Sequence, residues 1–208
     1  MTHEIRHPDP PTMSRTFAAV TQVLDDFAVP YLVIGSIAAD VCGSEGPWPR
    51  EGSDIDLFLT ESDARRAHAI LGENGFHIED TDEDWLLKAY REGVLIDLIF
   101  RAASTITLDE EMLERARTKT VEGRRVRIIA PEDYIVIQSR TFSRETPSHW
   151  FSACAVLEKS SIDWDYLLRR AEDRRDRAMA LLMFARSNGI TVPGNVLDRL
   201  YEPALARH

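Results

Sequence analysis

The chain has 208 residues, 44% of them hydrophobic, with a formal net charge of −10 at pH 7 and a pI near 5.1. That length can bury one good core or two small ones, and the acidic balance offers a nucleic-acid backbone nothing to bind outside a local basic patch. Two cysteines without CxxC spacing, Cys42 and Cys154, argue against a thiolate metal site or a disulfide framework. No run of about eighteen apolar residues occurs, and the start, with His3, Glu4, Arg6 and three prolines, has no apolar signal core. A cytoplasmic protein without a membrane partner is the expectation.

Residues 1–12 carry Pro8, Pro10 and Pro11 and read as a loose leader. Ser14 can cap a helix in which Phe17, Val20, Leu24 and Phe27 recur at helical spacing. Residues 31–34 form an apolar run that reads as a buried strand ending at Gly35-Ser36, and residues 36–41 read as a short helix begun directly after it. Glycine lets backbone approach a ligand, and free N–H groups at a helix start favour anions. An ordinary strand-to-helix turn has the same residues. Gly43, Gly46, Pro47, Pro49 and Gly52 mark a loop that brings Arg50 near the next strand, either to neutralise phosphate or simply to be solvated.

That strand, residues 55–59, is preceded by Asp54 and contains Asp56. Side chains at i and i+2 of a strand share a face about 7 Å apart. Two carboxylates so placed repel, and a divalent cation between them relieves the repulsion. Ile55 and Leu57 point the other way, into a core. A helix over 62–71 closes at Asn74-Gly75; residues 76–78 suggest a strand, and Glu79, Asp80, Asp82, Glu83 and Asp84 a solvated acidic turn. Residues 85–90 and 94–100 read as a hairpin with Gly93 in its turn. Asp97, amid six apolar residues, is costly unless paired or metal-bound, so it is either a metal ligand or the salt-bridge partner of Lys88 or Arg91.

A helix over 109–117 and a hairpin around Glu122-Gly123 follow, the latter with a basic spot at Arg124, Arg125 and Arg127. Helices are then expected from Pro131 to about residue 142, from Pro147, after an Asp163 cap, over 178–188 and over 193–205. Tyr134, Ile135 and Ile137 or Gln138 mark the inner face of the first, and Trp150, Ala153, Cys154 and Leu157 that of the second. Arg169, Arg170, Arg174, Arg175 and Arg177 alternate with Glu172, Asp173 and Asp176, which reads as a mixed solvated face rather than a nucleic-acid stripe.

Gly35-Ser36, seventeen residues, Asp54-Ile55-Asp56 before Leu57-Phe58-Leu59, and later Asp97 within Val94-Leu95-Ile96-Asp97-Leu98-Ile99-Phe100 together resemble the nucleotidyltransferase superfamily that shares the DNA polymerase beta fold. The resemblance covers roughly residues 15 to 175. Pro131-Glu132-Asp133, His149-Trp150 and Ile162-Asp163-Trp164-Asp165 resemble a subgroup of small bacterial nucleotidyltransferases, some related to the toxin half of toxin-antitoxin pairs. That subgroup often has a Lys and an Asp where Gln138 and Ser152 stand here, and Arg140 with Arg144, a helical turn apart, could supply the missing cation. His149 is either a structural partner of a backbone group or a reacting one.

The resemblance implies an α+β fold with a mixed sheet, a core over 13–130 and a helical region over 131–208. It implies a metal-dependent transfer of a nucleoside monophosphate from a nucleoside triphosphate such as ATP to a hydroxyl, with release of pyrophosphate. Asp54, Asp56 and Asp97 would be the catalytic residues and ligands of Mg²⁺ or Mn²⁺. Gly35, Ser36, Arg50 and Lys88 would bind the nucleotide. An aspartate near its reference pKa of about 3.9 is a feeble base alone, so Asp97 could act as base only with its metal. The acceptor would be a small molecule or, in a toxin-like protein with an antitoxin-like partner, RNA. A non-catalytic member binding a nucleotide or a partner protein is the alternative.

Overall fold

The computed structural model describes residues 8–43, 54–141 and 148–205, without the side chains of 202–205. Arg50, Arg144 and Pro147 lie outside the described residues. The chain divides into two compact units, Met1–Val41 with Glu45–Ile129, and Cys42–Ser44 with Ala130–His208.

The first unit opens with helix α1, Pro10–Asp26. This corrects two expectations: the leader does not extend to residue 12, and Ser14 is not the cap. Asp9 caps the helix, accepting from the Thr12 N–H at 2.9 Å, and Pro10 and Pro11 occupy the first positions, where a missing N–H costs nothing. The Ser14 hydroxyl instead donates to the Pro10 carbonyl. Met13, Phe17, Val20 and Leu24 are fully buried, whereas Phe27, one residue past the helix end, is 43% exposed.

Strand β1 (Leu32–Val33) leads into helix α2 (Gly35–Gly43), which runs two residues beyond the expected end. Strand β2 (Ile55–Phe58), helix α3 (Glu61–Glu73) and strands β3 (His77–Glu79), β4 (Leu86–Arg91) and β5 (Val94–Ile99) follow. Thr60 caps α3 through the Asp63 N–H, and Asn74 ends it. The β4–β5 turn places Glu92 and Gly93 at φ 51° and 79°, the two left-handed residues that a tight hairpin of this hand requires. Helix α4 (Glu110–Arg115) and the hairpin β6 (Arg117–Val121) and β7 (Arg124–Ile128) complete the unit.

Among the described residues the strands form one mixed sheet in the order β3-β4-β5-β2-β1-β7-β6. β2 runs parallel to β5 and β1 parallel to β7; the other neighbours are antiparallel. Helices α1 and α3 pack on one face, over Val33, Ile55, Leu57, Ile96, Leu98 and Ile128, all fully buried. Arg124 reaches from that face to α1, donating to Thr21 at 3.3 Å and to Asp25 at 2.6 Å. This member of the basic spot is therefore committed to holding the helix. The opposite face carries Asp56 and Asp97, because residues alternate along each strand.

The second unit is helical: α5 (Pro131–Thr141), α6 (Ser148–Lys159), α7 (Trp164–Arg170), a short 3₁₀ turn at Glu172–Arg174, α8 (Arg175–Ser187) and α9 (Gly194–Leu205). Helix α5 is its axis, with residues 131–139 all buried. Its polar side chains are matched inside the unit. Glu132 accepts from the Asp163 N–H at 2.7 Å; Asp133 pairs with Arg170 at 2.9 Å and accepts from the Tyr166 hydroxyl at 2.8 Å. Arg177 donates to the Ser139 and Arg140 carbonyls at the end of α5, and Arg140 donates to the Arg170 carbonyl at the end of α7. These satisfy carbonyls that a helix terminus leaves without partners.

Candidate active site

Four elements of the first unit build the acidic centre. β2 and β5 lie side by side in parallel with Asp56 directly opposite Asp97, and Asp54 stands just before β2. One oxygen from each of the three carboxylates lies within 4.8 Å of the others. β1 delivers Gly35 to the same place through the Ile34 N–H, which donates to the Asp56 carbonyl at 3.0 Å.

Gly35 has φ +62°, and a Cβ there would stand 1.8 Å from Oδ2 of Asp56. Any other residue would be strained and would also displace the carboxylate. This glycine therefore seats α2 against Asp56, a contact between residues distant in the chain. Next to it, the Ser36 hydroxyl oxygen is buried without a hydrogen-bond partner among the described residues.

The electrostatics are one-sided. Burial, then the charges of Asp54 and Asp97, push the Asp56 carboxyl well above the ordinary range. Burial and then Asp54 push Asp97 up to about 6; Lys88 opposes the rise and Glu83 adds to it. Asp97 is only 9% exposed, and its Oδ1 has no hydrogen-bond partner among the described residues. A buried carboxylate oxygen without a donor, facing two more carboxylates, suits a hard divalent cation. These three side chains fit Mg²⁺ or Mn²⁺.

The two candidate partners of Asp97 are now distinguished. Lys88 lies directly across from it on β4, whereas Arg91 belongs to the other face, its guanidinium 5.0 Å from the Phe76 ring centre. Lys88 is thus on the far side of the triad from Gly35 and Ser36. His149 contacts the Thr141 carbonyl through Nδ1 at 3.3 Å, a structural backbone contact.

Three neighbours were not legible as site residues. Glu79, expected in a solvated turn, ends β3 opposite Lys88, and burial first and then the Glu79 carboxylate raise the pKa of Tyr90 on the neighbouring strand. Glu83 accepts from the Trp85 indole N–H at 2.7 Å, and its charge reaches Asp97. The alternation of Leu86, Lys88 and Tyr90 in the hairpin strand beside Asp97 was the available signal for Tyr90. Glu79 and Glu83 needed the strand register.

A family model described as "Nucleotidyl transferase of unknown function (DUF2204)" matches residues 13–178. No curated protein matches the chain. Among solved structures, the antibiotic-resistance factor ANT(2'')-Ia in solution is similar at 18% identity and TM-score 0.56, over 86% of this chain and 100% of that one. The lincosamide antibiotic adenylyltransferase LnuA, bound to lincomycin, is similar at 15% identity and TM-score 0.51, over 70% of this chain and 97% of that one. At these identities the likeness is one of fold.

Proposed function

The chain belongs to the nucleotidyl transferase family DUF2204, and from that premise we propose that it is a divalent-metal-dependent enzyme moving a nucleoside monophosphate from a nucleoside triphosphate to a hydroxyl of a small molecule. The observation that carries this is the convergence of Asp54, Asp56 and Asp97 within 4.8 Å beside a glycine that has no room for a side chain.

In the reaction the acceptor oxygen forms a bond to the α-phosphorus, the bond from that phosphorus to the bridging oxygen breaks, and pyrophosphate leaves. Asp54, Asp56 and Asp97 would hold Mg²⁺ or Mn²⁺, which when bound supplies charge neutralisation at the phosphates and acidifies the attacking hydroxyl. Gly35 brings the first turn of α2 close, so that its N–H groups and the partnerless Ser36 hydroxyl can bind phosphate oxygens. Asp97 would take the acceptor proton only with the cation in place, because an aspartate is a feeble base for a hydroxyl that no metal has acidified. Lys88, across from Asp97, offsets negative charge on the triad. Arg50 is retained as a phosphate cation from the sequence pattern alone.

A small-molecule acceptor is favoured over RNA because most of the arginines RNA would need are engaged within the protein, with Arg125 and Arg127 left exposed on β7. Arg124, Arg140, Arg170, Arg174, Arg175 and Arg177 all pair with acids or carbonyls of their own unit. The two solved structures described above are antibiotic-directed proteins by their descriptions, which agrees with that choice. The test is incubation of wild type and Asp54→Asn with each α-labelled nucleoside triphosphate, Mg²⁺, a panel of hydroxylated small molecules and total RNA. Label on a small molecule, lost in the variant, is expected. Label on RNA would overturn the acceptor assignment, and absence of both label and pyrophosphate would overturn the transfer.

A further inference from the structure

We propose that the basic spot on β7 forms a second ligand site, separate from the acidic centre, that takes inorganic phosphate in its protonated form. The turn between β6 and β7 places Glu122 and Gly123 at φ 47° and 76°, a two-residue hairpin that closes on the hydrogen-bonded pair Val121 and Arg124. Bonded and non-bonded pairs alternate along an antiparallel ladder. Val126 and Ile128 therefore direct their N–H and C=O groups to β6, and Arg125, Arg127 and Ile129 turn theirs toward β1. The Ile129 N–H does reach the Val33 carbonyl, at 3.1 Å. β1, however, is two residues long and meets β7 at Val33 opposite Ile128. Beside Arg125 and Arg127 the segment leading into β1 stands off, and a cavity of about 110 Å³ opens, lined by Asp25, Val29, Tyr31, Arg125, Val126 and Arg127.

The walls of this cavity carry donors in excess. The N–H groups of Arg125 and Arg127 and the Arg125 carbonyl have no hydrogen-bond partner among the described residues. Both side chains are exposed and, unlike Arg124, make no ion pair among those residues. Asp25 brings the opposite charge, but Arg124 pairs with it at 2.6 Å and the Tyr31 hydroxyl donates to it at 3.2 Å, which leaves the other two guanidinium groups uncompensated. Burial and then Asp25 raise the Tyr31 pKa while Arg124 and Arg127 oppose the rise, so the Arg127 charge also reaches the cavity wall. Guanidinium groups and main-chain N–H groups together are the donors that hold phosphate oxygens. The Arg125 carbonyl and the Asp25 carboxylate add two acceptors, which a general anion site lacks. Near neutral pH inorganic phosphate keeps a proton on one oxygen and can donate it there, whereas sulfate only accepts. Donors and acceptors in one cavity therefore select the protonated anion.

The test is calorimetric titration of the full chain near neutral pH, without divalent metal, using inorganic phosphate, sulfate and glycerol 3-phosphate at matched ionic strength. One inorganic phosphate per chain is expected, with sulfate at least tenfold weaker. Glycerol 3-phosphate, a monoester that has lost its second proton at that pH, is expected to bind no better than sulfate. Arg125→Gln and Arg127→Gln are each expected to weaken phosphate at least fivefold, yet to melt with the wild type in its absence, because neither side chain holds another element. Phosphate should raise the wild-type melting temperature, as a ligand selective for the folded state must. Equal affinity for phosphate and either of the other anions would overturn the protonated ligand. Binding unmoved by both variants would put the phosphate elsewhere, at the turn of Gly35 and Ser36 for example, and no binding at millimolar phosphate would leave the cavity to water; either result overturns the site.

Discussion

Two buried aspartates, one in each unit, carry opposite lessons. Asp133 on α5 has no accessible side-chain surface, and it is answered by the Arg170 guanidinium at 2.9 Å and the Tyr166 hydroxyl at 2.8 Å. Asp97 on β5 is 9% exposed and faces Asp54 and Asp56, with one oxygen lacking any hydrogen-bond partner among the described residues. Burying a charge is costly unless something compensates it. In the helical unit the compensation is built into the protein; in the sheet unit most of it is left to a ligand. The first arrangement is architecture, and the second is a site maintained at some expense to stability.

The contrast can be broken most severely at the triad. Asp56→Asn is expected to lower nucleotidyl transfer about a thousandfold, since a bound cation is worth several kcal/mol of transition-state stabilisation, with no loss of melting temperature. Full activity in the variant, measured by release of pyrophosphate, would remove Asp56 from the mechanism. At Asp133 the pattern reverses. Asp133→Ala removes the buried carboxylate that Arg170 and the Tyr166 hydroxyl both engage and is expected to cost about 3 to 5 kcal/mol in denaturant unfolding. A change below about 1 kcal/mol would show that the pair is not structural.

A smaller effect follows from pH. The Asp97 pKa is about 6 in the folded protein and about 3.9 in an unfolded chain. Between those values the folded state holds more protons, so metal-free stability falls as pH rises through about 4 to 6. The metal-free protein should therefore melt higher at pH 5 than at pH 7.5. Asp97→Asn should flatten that dependence and raise stability at pH 7.5 by about 1 to 2 kcal/mol after allowance for solvent screening. A melting temperature that climbs with pH in the wild type would contradict the charge balance described here.

How much of this was readable in the chain depends on how local each determinant is. The strand, glycine turn and Asp-x-Asp spacing are contained within residues 31–59, and with Asp97 they carried the resemblance that implied the mixed sheet and the acidic centre. The roles of Asp97 and Asp133 could not be distinguished from their surroundings in sequence, because the deciding partner of Asp133 is Arg170, on a different helix. Gly35 was legible as a permissive turn residue but not as the seat of the Asp56 carboxylate, since that contact spans two strands. Glu79 looked like one more acid in a solvated run until the β3–β4 register set it opposite Lys88. The start of α1 differs from its expectation for a local reason: Ser14 is of a capping type, but Asp9 before two prolines holds the cap position.

The most direct test of the central claim is Mn²⁺ binding followed by electron paramagnetic resonance, in wild type and Asp97→Asn, with and without a non-hydrolysable ATP analogue. Free Mn²⁺ signal should fall on titration with wild type, more so with the analogue present, and the variant should leave most of it free. Equal binding by the two proteins, or no binding by wild type even with the analogue, would contradict the account of Asp97 as a carboxylate kept for a cation.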